Sequence, residues 1–319
     1  MNPLTLLEYL IDSIKSHLFA AMLGLFTGIV IAVLVEGFRS KYRFSRAYHI
    51  AVVGFPQSGK TTLITSLFNE LFSGKILRIK IVPRGSETIE KINRDIARLE
   101  IGESLGPTTD QDLFAYRADV NIGRFPFSTR YKIEIGDFPG EDSTEFTEKF
   151  GDWFHNTPYF KWVMEADAFI FIIDTAHVLA DDDQKSYRAK ITKAIRAAWQ
   201  HIQEYHIEGK KDLKSKPIVL VFAKGDLLVV ASHIRLEDQD DLTNTIRDLG
   251  FGKTFPKPVH YIDFDIDKRG ALILLEYRRL IDYLRHQTNK FGVVFASHFA
   301  FCDNGRMGIN DILKRILPR

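Results

Sequence analysis

The chain has 319 residues, 45% of them apolar and 26% charged, with a net charge of +2; this allows one large domain with attachments and a substantial core. So even a balance lacks the basic excess that advertises a polyanion partner, and nucleic acid is not expected. The single cysteine, Cys302, excludes an internal disulfide and a cysteine-based zinc centre, and it reads as a small buried apolar residue in an intracellular globular part.

Residues 1–16 carry Leu4, Leu7, Leu10, Ile11 and Ile14 at helical spacing, a pattern suited to a helix lying in a membrane interface. Leu18 to Val35 contains no charged residue, and with the residues around it the run is long enough to cross hydrocarbon. Residues 17–37 are therefore expected to form a single transmembrane helix. Two alternatives compete. A cleaved signal peptide wants a basic leader, whereas Met1 to Ser16 sets Glu8 and Asp12 against Lys15; a buried core helix is the other, against which the run is apolar on every face. Arg39, Lys41, Arg43 and Arg46 come next, so residues 38–47 read as a basic juxtamembrane linker and place the domain beyond them, residues 48–319, in the cytoplasm. Ala20, Gly24, Gly28 and Ala32 recur on one helix face, which lets two membrane helices approach closely and makes a second copy a candidate partner. The ordinary abundance of glycine and alanine in membrane spans is the competing reading.

The apolar run Tyr48 to Val53 reads as a strand, and it leads into Gly54-Phe55-Pro56-Gln57-Ser58-Gly59-Lys60-Thr61-Thr62, then Leu63, Ile64, Leu67 and Phe68 at helical spacing. This is GxxxxGKT in a strand-loop-helix setting, a P-loop. Consecutive backbone N–H groups from Gln57, Ser58, Gly59, Lys60, Thr61 and Thr62 would surround phosphates, leaving no room for side chains at Gly54 and Gly59. Lys60 would reach the β- and γ-phosphates, and the Thr61 hydroxyl would hold Mg²⁺. A glycine turn with a solvated lysine is the bland alternative.

Downstream, Ser86 to Glu100 has a helical pattern, followed by the turn-rich Gly106-Pro107-Thr108-Thr109-Asp110. A threonine here can add its hydroxyl to Mg²⁺ while a γ-phosphate is present. Thr109 is preferred over Thr108, and an N-cap is the competing role for either. The strand Tyr131 to Ile135 runs into Asp137-Phe138-Pro139-Gly140, a DxxG in which Asp137 can hold Mg²⁺ through water and the Gly140 N–H can sense the γ-phosphate. Further strands are expected at Ala168 to Ile173, Pro217 to Phe222 and Val293 to Ala296, with helical patterns between them. The expected fold is α/β, a P-loop NTPase with a doubly wound, mostly parallel sheet behind a single transmembrane helix.

After the fourth of these strands stands Ala223-Lys224-Gly225-Asp226. With this segment the motifs from Tyr48 to Leu317 resemble, in order, those of the translation-factor and Ras-like P-loop GTPases, whose base-recognition motif is (N/T)KxD. The resemblance implies GTP and GDP as ligands, with Mg²⁺. It also implies Lys224 along the purine and Asp226 accepting from the guanine N1 and N2 groups, which adenine cannot supply. Ala223 departs from the motif, where the family has an asparagine or threonine that ties this loop to the P-loop. Ser297, in Ala296-Ser297-His298, stands where the family has its last base contact, and Glu165 to Asp174 is similar to the family's third strand. Additions at about 74–105 and 227–290, the latter with Ile266 to His286 as one helix, resemble the bacterial double-GTPase-like group. An anchor followed by a GTPase also resembles the signal recognition particle receptor β subunit.

The family places a water-orienting glutamine just after DxxG, whereas this chain has Glu141, a carboxylate that a γ-phosphate repels. Slow hydrolysis is therefore expected, with Lys60, Thr109, Gly140 and Glu141 as the catalytic candidates. The implied function is a membrane-anchored GTP-binding switch, single-pass with a cytoplasmic GTPase domain, that recruits or regulates an unidentified protein partner. Two other readings stand beside it. One is an ATP-using P-loop NTPase, favoured by Ala223 and disfavoured by Asp226; the other is a nucleotide-binding membrane scaffold with little hydrolysis, favoured by Glu141.

Overall fold

Strand β5 (Ala168–Asp174) is buried along its whole length, with Ala168, Ile170 and Ile172 against one apolar layer and Phe169, Phe171 and Ile173 against another. A strand that meets apolar surroundings on both faces belongs inside a covered, mostly parallel sheet. In this computed structural model, which describes residues 3–42, 46–73, 80–103, 105–106, 114–122, 129–137, 158–180, 184–208, 213–230, 264–299, 301–302 and 305–318, it occupies that place. The other strands of its sheet are β1 (Arg46–Val53), β2 (Lys80–Pro83), β3 (Phe114–Ile122), β4 (Thr129–Asp137), β6 (Ile218–Ala223) and β7 (Phe291–Ala296). Their order is β2-β3-β4-β1-β5-β6-β7. From β4 to β7 every neighbouring pair is parallel, and β3 runs antiparallel to both β2 and β4.

The five strands expected from the apolar runs are β1, β4, β5, β6 and β7, with ends shifted by one to two residues. The antiparallel pair β2 and β3 was not legible. Tyr116, Ala118 and Val120 of β3 enter the core and Ile122 packs against it; between them sit the exposed Arg117 and the buried Asp119. Asp119 is held by Arg130 at 2.6 Å, so an ion pair stands where an apolar run would have announced the strand.

Helices α2 (Lys60–Phe72), α3 (Ser86–Glu100) and, near the end of the chain, α10 (Ile309–Ile316) pack against one face. The other face is covered by α4 (Pro158–Glu165), α6 (Gln184–Glu208), α8 (Phe264–Glu276) and α9 (Arg278–Gln287). Short helices α5 (Thr175–Leu179) and α7 (Leu227–Val230) follow β5 and β6, and β8 (Phe301–Cys302) pairs with β9 (Gly305–Arg306) as a hairpin. The helix expected over 266–286 is two helices, parted at Tyr277 with φ −92° and ψ 6°. That turn puts the Tyr277 ring edge-on to Phe222 at 5.4 Å and lets Ile273 and Leu274 on one helix and Leu280, Ile281 and Leu284 on the next reach the same core. A straight helix could not turn both apolar stripes onto a twisted sheet.

Helix α1 (Pro3–Tyr42) is continuous and crosses the boundaries expected near 16 and 37 without a break. Its stretch Ser13–Gly37, 25 residues, is long and apolar enough to cross a membrane, and from Ile14 to Val35 it is exposed throughout.

Candidate nucleotide site

Because β4, β1, β5, β6 and β7 are parallel, their C-terminal ends gather at one pole, where such sheets bind ligands. The first loop there is the turn from β1 into α2. A Cβ on Gly54 would come within 2.9 Å of Ser58 Oγ and 3.0 Å of Ile172 Cβ, so only glycine fits. Gly59 adopts φ +85° as the N-cap of α2, a left-handed conformation that L-residues enter only with strain. The Ser58 hydroxyl is buried with no hydrogen-bond partner among the described residues, and its N–H donates to Phe55 O at 3.3 Å.

Lys60 folds back over the loop, its Nζ donating to Gly54 O at 2.9 Å and Phe55 O at 2.8 Å. Burial lowers its pKa to about 8, partly opposed by the charge of Asp137. Beside it, Thr61 Oγ1 donates to Asp137 Oδ1 at 3.1 Å, and Asp137 is fully buried at the end of β4. A hydroxyl and a carboxylate meeting next to a phosphate loop are hard oxygen donors of the kind Mg²⁺ takes, with its remaining ligands coming from phosphates and water. The residues present therefore fit the ion.

The second part of the pole lies two strands away. Lys224 has φ +58°, and so does Gln57; these are the two non-glycine residues with positive φ among the described residues. Left-handed strain of this kind clusters where function demands a particular backbone. The two strained residues are joined, with Lys224 Nζ donating to Gln57 O at 3.1 Å. The same ammonium donates to Asp174 Oδ2 at 2.7 Å. Asp174 is 2% exposed, and its other oxygen accepts from Ala176 N at 2.9 Å, which caps α5. Its own N–H donates to Tyr187 Oη at 2.9 Å, a hydroxyl whose pKa burial pushes up. Ala223 is buried beneath this, and a Cβ on Gly59 would lie 3.9 Å from its Cβ, so the two loops approach closely at this position.

Asp226 is held from β7: Ser297 Oγ donates to Asp226 Oδ1 at 2.5 Å, Gly225 N donates to Ala296 O at 2.9 Å, and Ser297 N donates to Met307 O at 3.1 Å. His298 turns away and is buried, its Nδ1 2.7 Å from Ser66 Oγ. Burial, then the nearby Arg306, lowers its pKa to about 4.

Gly54, Gln57, Ser58, Gly59, Lys60, Thr61, Thr62, Asp137, Lys224, Asp226 and Ser297 thus lie on the loops of one pole. Thr108, Thr109, Gly140 and Glu141 lie outside the described residues. Sequence reasoning did not single out Asp174 as a site residue. Its signal was a carboxylate closing an otherwise wholly apolar strand, which burial on both faces makes unusual unless the charge is paired.

Sheet order and strand-end chemistry together define the class: this is a P-loop fold of the GTPase kind. Over residues 48–260 the sequence matches the Double-GTPase 2 family, and the chain belongs to that family of GTP-binding proteins. The match covers β1 to β6 and stops short of α8 to α10, β7 and Ser297. No curated protein matches the chain. Among solved structures it is similar to the RocCORdC portion of Roco2 from Methanosarcina barkeri, bound to GDP, at 12% identity and a TM-score of 0.33. The likeness covers 85% of this chain and 49% of that one, so the chain spans about half the length of the protein it matches.

Proposed function

We propose that the chain is a membrane-anchored GTPase switch that binds GTP at the strand-end pole, hydrolyses it slowly to GDP, and through that change recruits or regulates a protein partner at the membrane. The observation that carries this reading is the Lys224 Nζ to Gln57 O bond, which ties a guanine-type base loop to the P-loop. The loop amides and Lys60 bind and orient the phosphates, with the ammonium already aimed by Gly54 O and Phe55 O. Thr61 and Asp137 would hold Mg²⁺, which when bound neutralises charge developing on the phosphoryl group. Thr109 and Gly140 would report the γ-phosphate, and Glu141, in place of a neutral water-orienting group, makes intrinsic turnover slow.

On the base side Lys224 lies along the purine and Asp226, aimed by Ser297, accepts from guanine. Asp174 takes over the work of the side chain missing at 223: it holds the Lys224 ammonium from β5 instead of tying the loop from β6. Helix α1 supplies the tether through residues 17–37, with the GTPase domain on the cytoplasmic side.

The test is calorimetric titration of the full chain, in neutral detergent micelles with Mg²⁺, with GTP, GDP and ATP. Preference for the guanine nucleotides that Asp226→Asn abolishes supports the reading. Equal or tighter ATP binding overturns it in favour of an ATP-using NTPase, and binding without measurable turnover makes the chain a nucleotide-binding scaffold.

A further inference from the structure

At the opposite pole, where the parallel strands begin, lies a cavity of about 460 Å³, within the size range of small-molecule sites. Lys216 before β6, Lys290 before β7 and Arg315 in the last turn of α10 line it, and the facing carboxylate is Asp167 before β5. Among the described lining residues three cations stand against one anion, and the Lys216 ammonium also donates to Ala166 O. Asp167, moreover, is committed to the sheet: its Oδ2 accepts from His49 N at 3.0 Å and its N–H donates to His49 O at 2.7 Å.

The cations are held by built features. Thr288, buried between the two lysines, donates through Oγ1 to Lys216 O at 2.6 Å and accepts from Lys290 N at 3.1 Å, which sets the spacing of their backbones. Arg315 lies flat on β7 because residue 292 is glycine: a Cβ there would meet Arg315 Cδ at 2.6 Å and Nη1 at 2.8 Å. The carbonyl of Ile316, at the helix C-terminus whose partial negative charge would oppose an anion, accepts from Tyr48 Oη at 2.7 Å.

The chain reaches this pole directly from α1. Eight residues separate Gly37, the end of the apolar stretch, from Arg46, the first residue of β1; with α1 helical to Tyr42, the two ends lie at most about 20 Å apart. Tyr48, on the cavity wall, comes two residues later.

We propose that this cavity is an anion site for a phosphate ester, distinct from the nucleotide pole, with Lys216, Lys290 and Arg315 as its ligands. Its position beside the tether favours an anionic phospholipid headgroup as the source, and a soluble phosphate ester is the other source of the same chemistry. The choice of lipid rests on the membrane-anchored reading, whereas phosphate binding does not.

The experiment is calorimetry on the full chain in neutral maltoside micelles with three probes: dihexanoylphosphatidic acid, glycerol 3-phosphate and dihexanoylphosphatidylcholine. The expected result is that phosphatidic acid binds and phosphatidylcholine does not, with Lys290→Glu and Arg315→Gln each weakening binding about tenfold and Lys60→Ala leaving it unchanged. Lys290 is exposed, so its variant keeps the fold even where Arg315→Gln disturbs α10. Glycerol 3-phosphate binding as tightly as the lipid assigns the site to soluble esters; lipid binding tenfold tighter assigns it to the headgroup. Absence of binding by either phosphate probe, or binding that survives both cavity substitutions and is lost with Lys60→Ala, overturns the proposal.

Discussion

The proposed phosphate side and base side of the nucleotide pole are built by different means. On the phosphate side one contiguous stretch, Gly54 to Thr62, supplies the loop, the lysine and the threonine, and among the described residues Asp137 joins it from the end of β4. On the base side each polar group is held by a residue far along the chain: Lys224 by Asp174, and Asp226 by Ser297. A contiguous loop is dictated by its own backbone, so its pattern admits few departures. On the proposed reading, a base loop assembled across strands tolerates the loss of one tie, at Ala223, because a neighbouring strand offers another.

Substitutions on the two sides should separate this contrast. The largest effect is expected for Lys60→Ala, which removes the phosphate charge partner without touching the base loop: affinities for GDP and ATP should fall together by about 100-fold or more, read by calorimetry. If only the guanine nucleotide suffers, the two sides are coupled more tightly than the contrast allows. Asp226→Asn should leave ATP binding alone and lower the preference for GDP by roughly 10- to 100-fold, since two accepted hydrogen bonds are lost; an unchanged preference would show that Asp226 does not face the base.

Asp174→Asn sharpens the comparison. It keeps the size and the cap on α5 while removing the charge that holds Lys224, so GDP affinity should fall about tenfold with little change for inorganic pyrophosphate, which has no base. Ala223→Asn restores the family tie and should compensate part of the Asp174→Asn loss, by a few-fold. Simple additivity of the two substitutions would mean that Asp174 does not stand in for the missing side chain.

The smallest effect is protonic. The pKa of Lys60 in the free protein is lowered to about 8, and phosphate binding favours the charged form, so at pH 8 GDP binding should take up about half a proton per site and at pH 6 none. Heats measured in buffers of different ionisation enthalpy report this. The sign for stability is the reverse: the unfolded chain keeps the Lys60 proton up to about pH 10.5, so the unliganded protein gains stability from this group as pH rises from about 8 to 10.5. Proton uptake at pH 8 that persists in Lys60→Ala would assign the titration elsewhere.

Residues 54–62 and the helix at Ser86 to Glu100 were legible because each is encoded by neighbours in sequence, and strands β5, β6 and β7 because burial on both faces demands unbroken apolar runs; in β4 the buried Ile133 and Ile135 alternate with Lys132 and Glu134. Strands β2 and β3 were not, since one is four residues long and the other carries Arg117 and Asp119 within it. The break at Tyr277 was hidden for a related reason: both helices share one apolar periodicity, and the turn between them answers to the sheet beneath rather than to a glycine or proline.

By itself, then, the sequence determined a P-loop, its strand and helix, a mostly parallel sheet and an apolar helix long enough to span a membrane, because local backbone geometry and burial leave few other ways to satisfy those residues. Tertiary structure alone decided that Asp174 meets Lys224, that Ser297 aims Asp226, and that three cations from separate segments line a cavity at the far pole. Each of those contacts depends on strand order, which brings together groups that no local pattern relates.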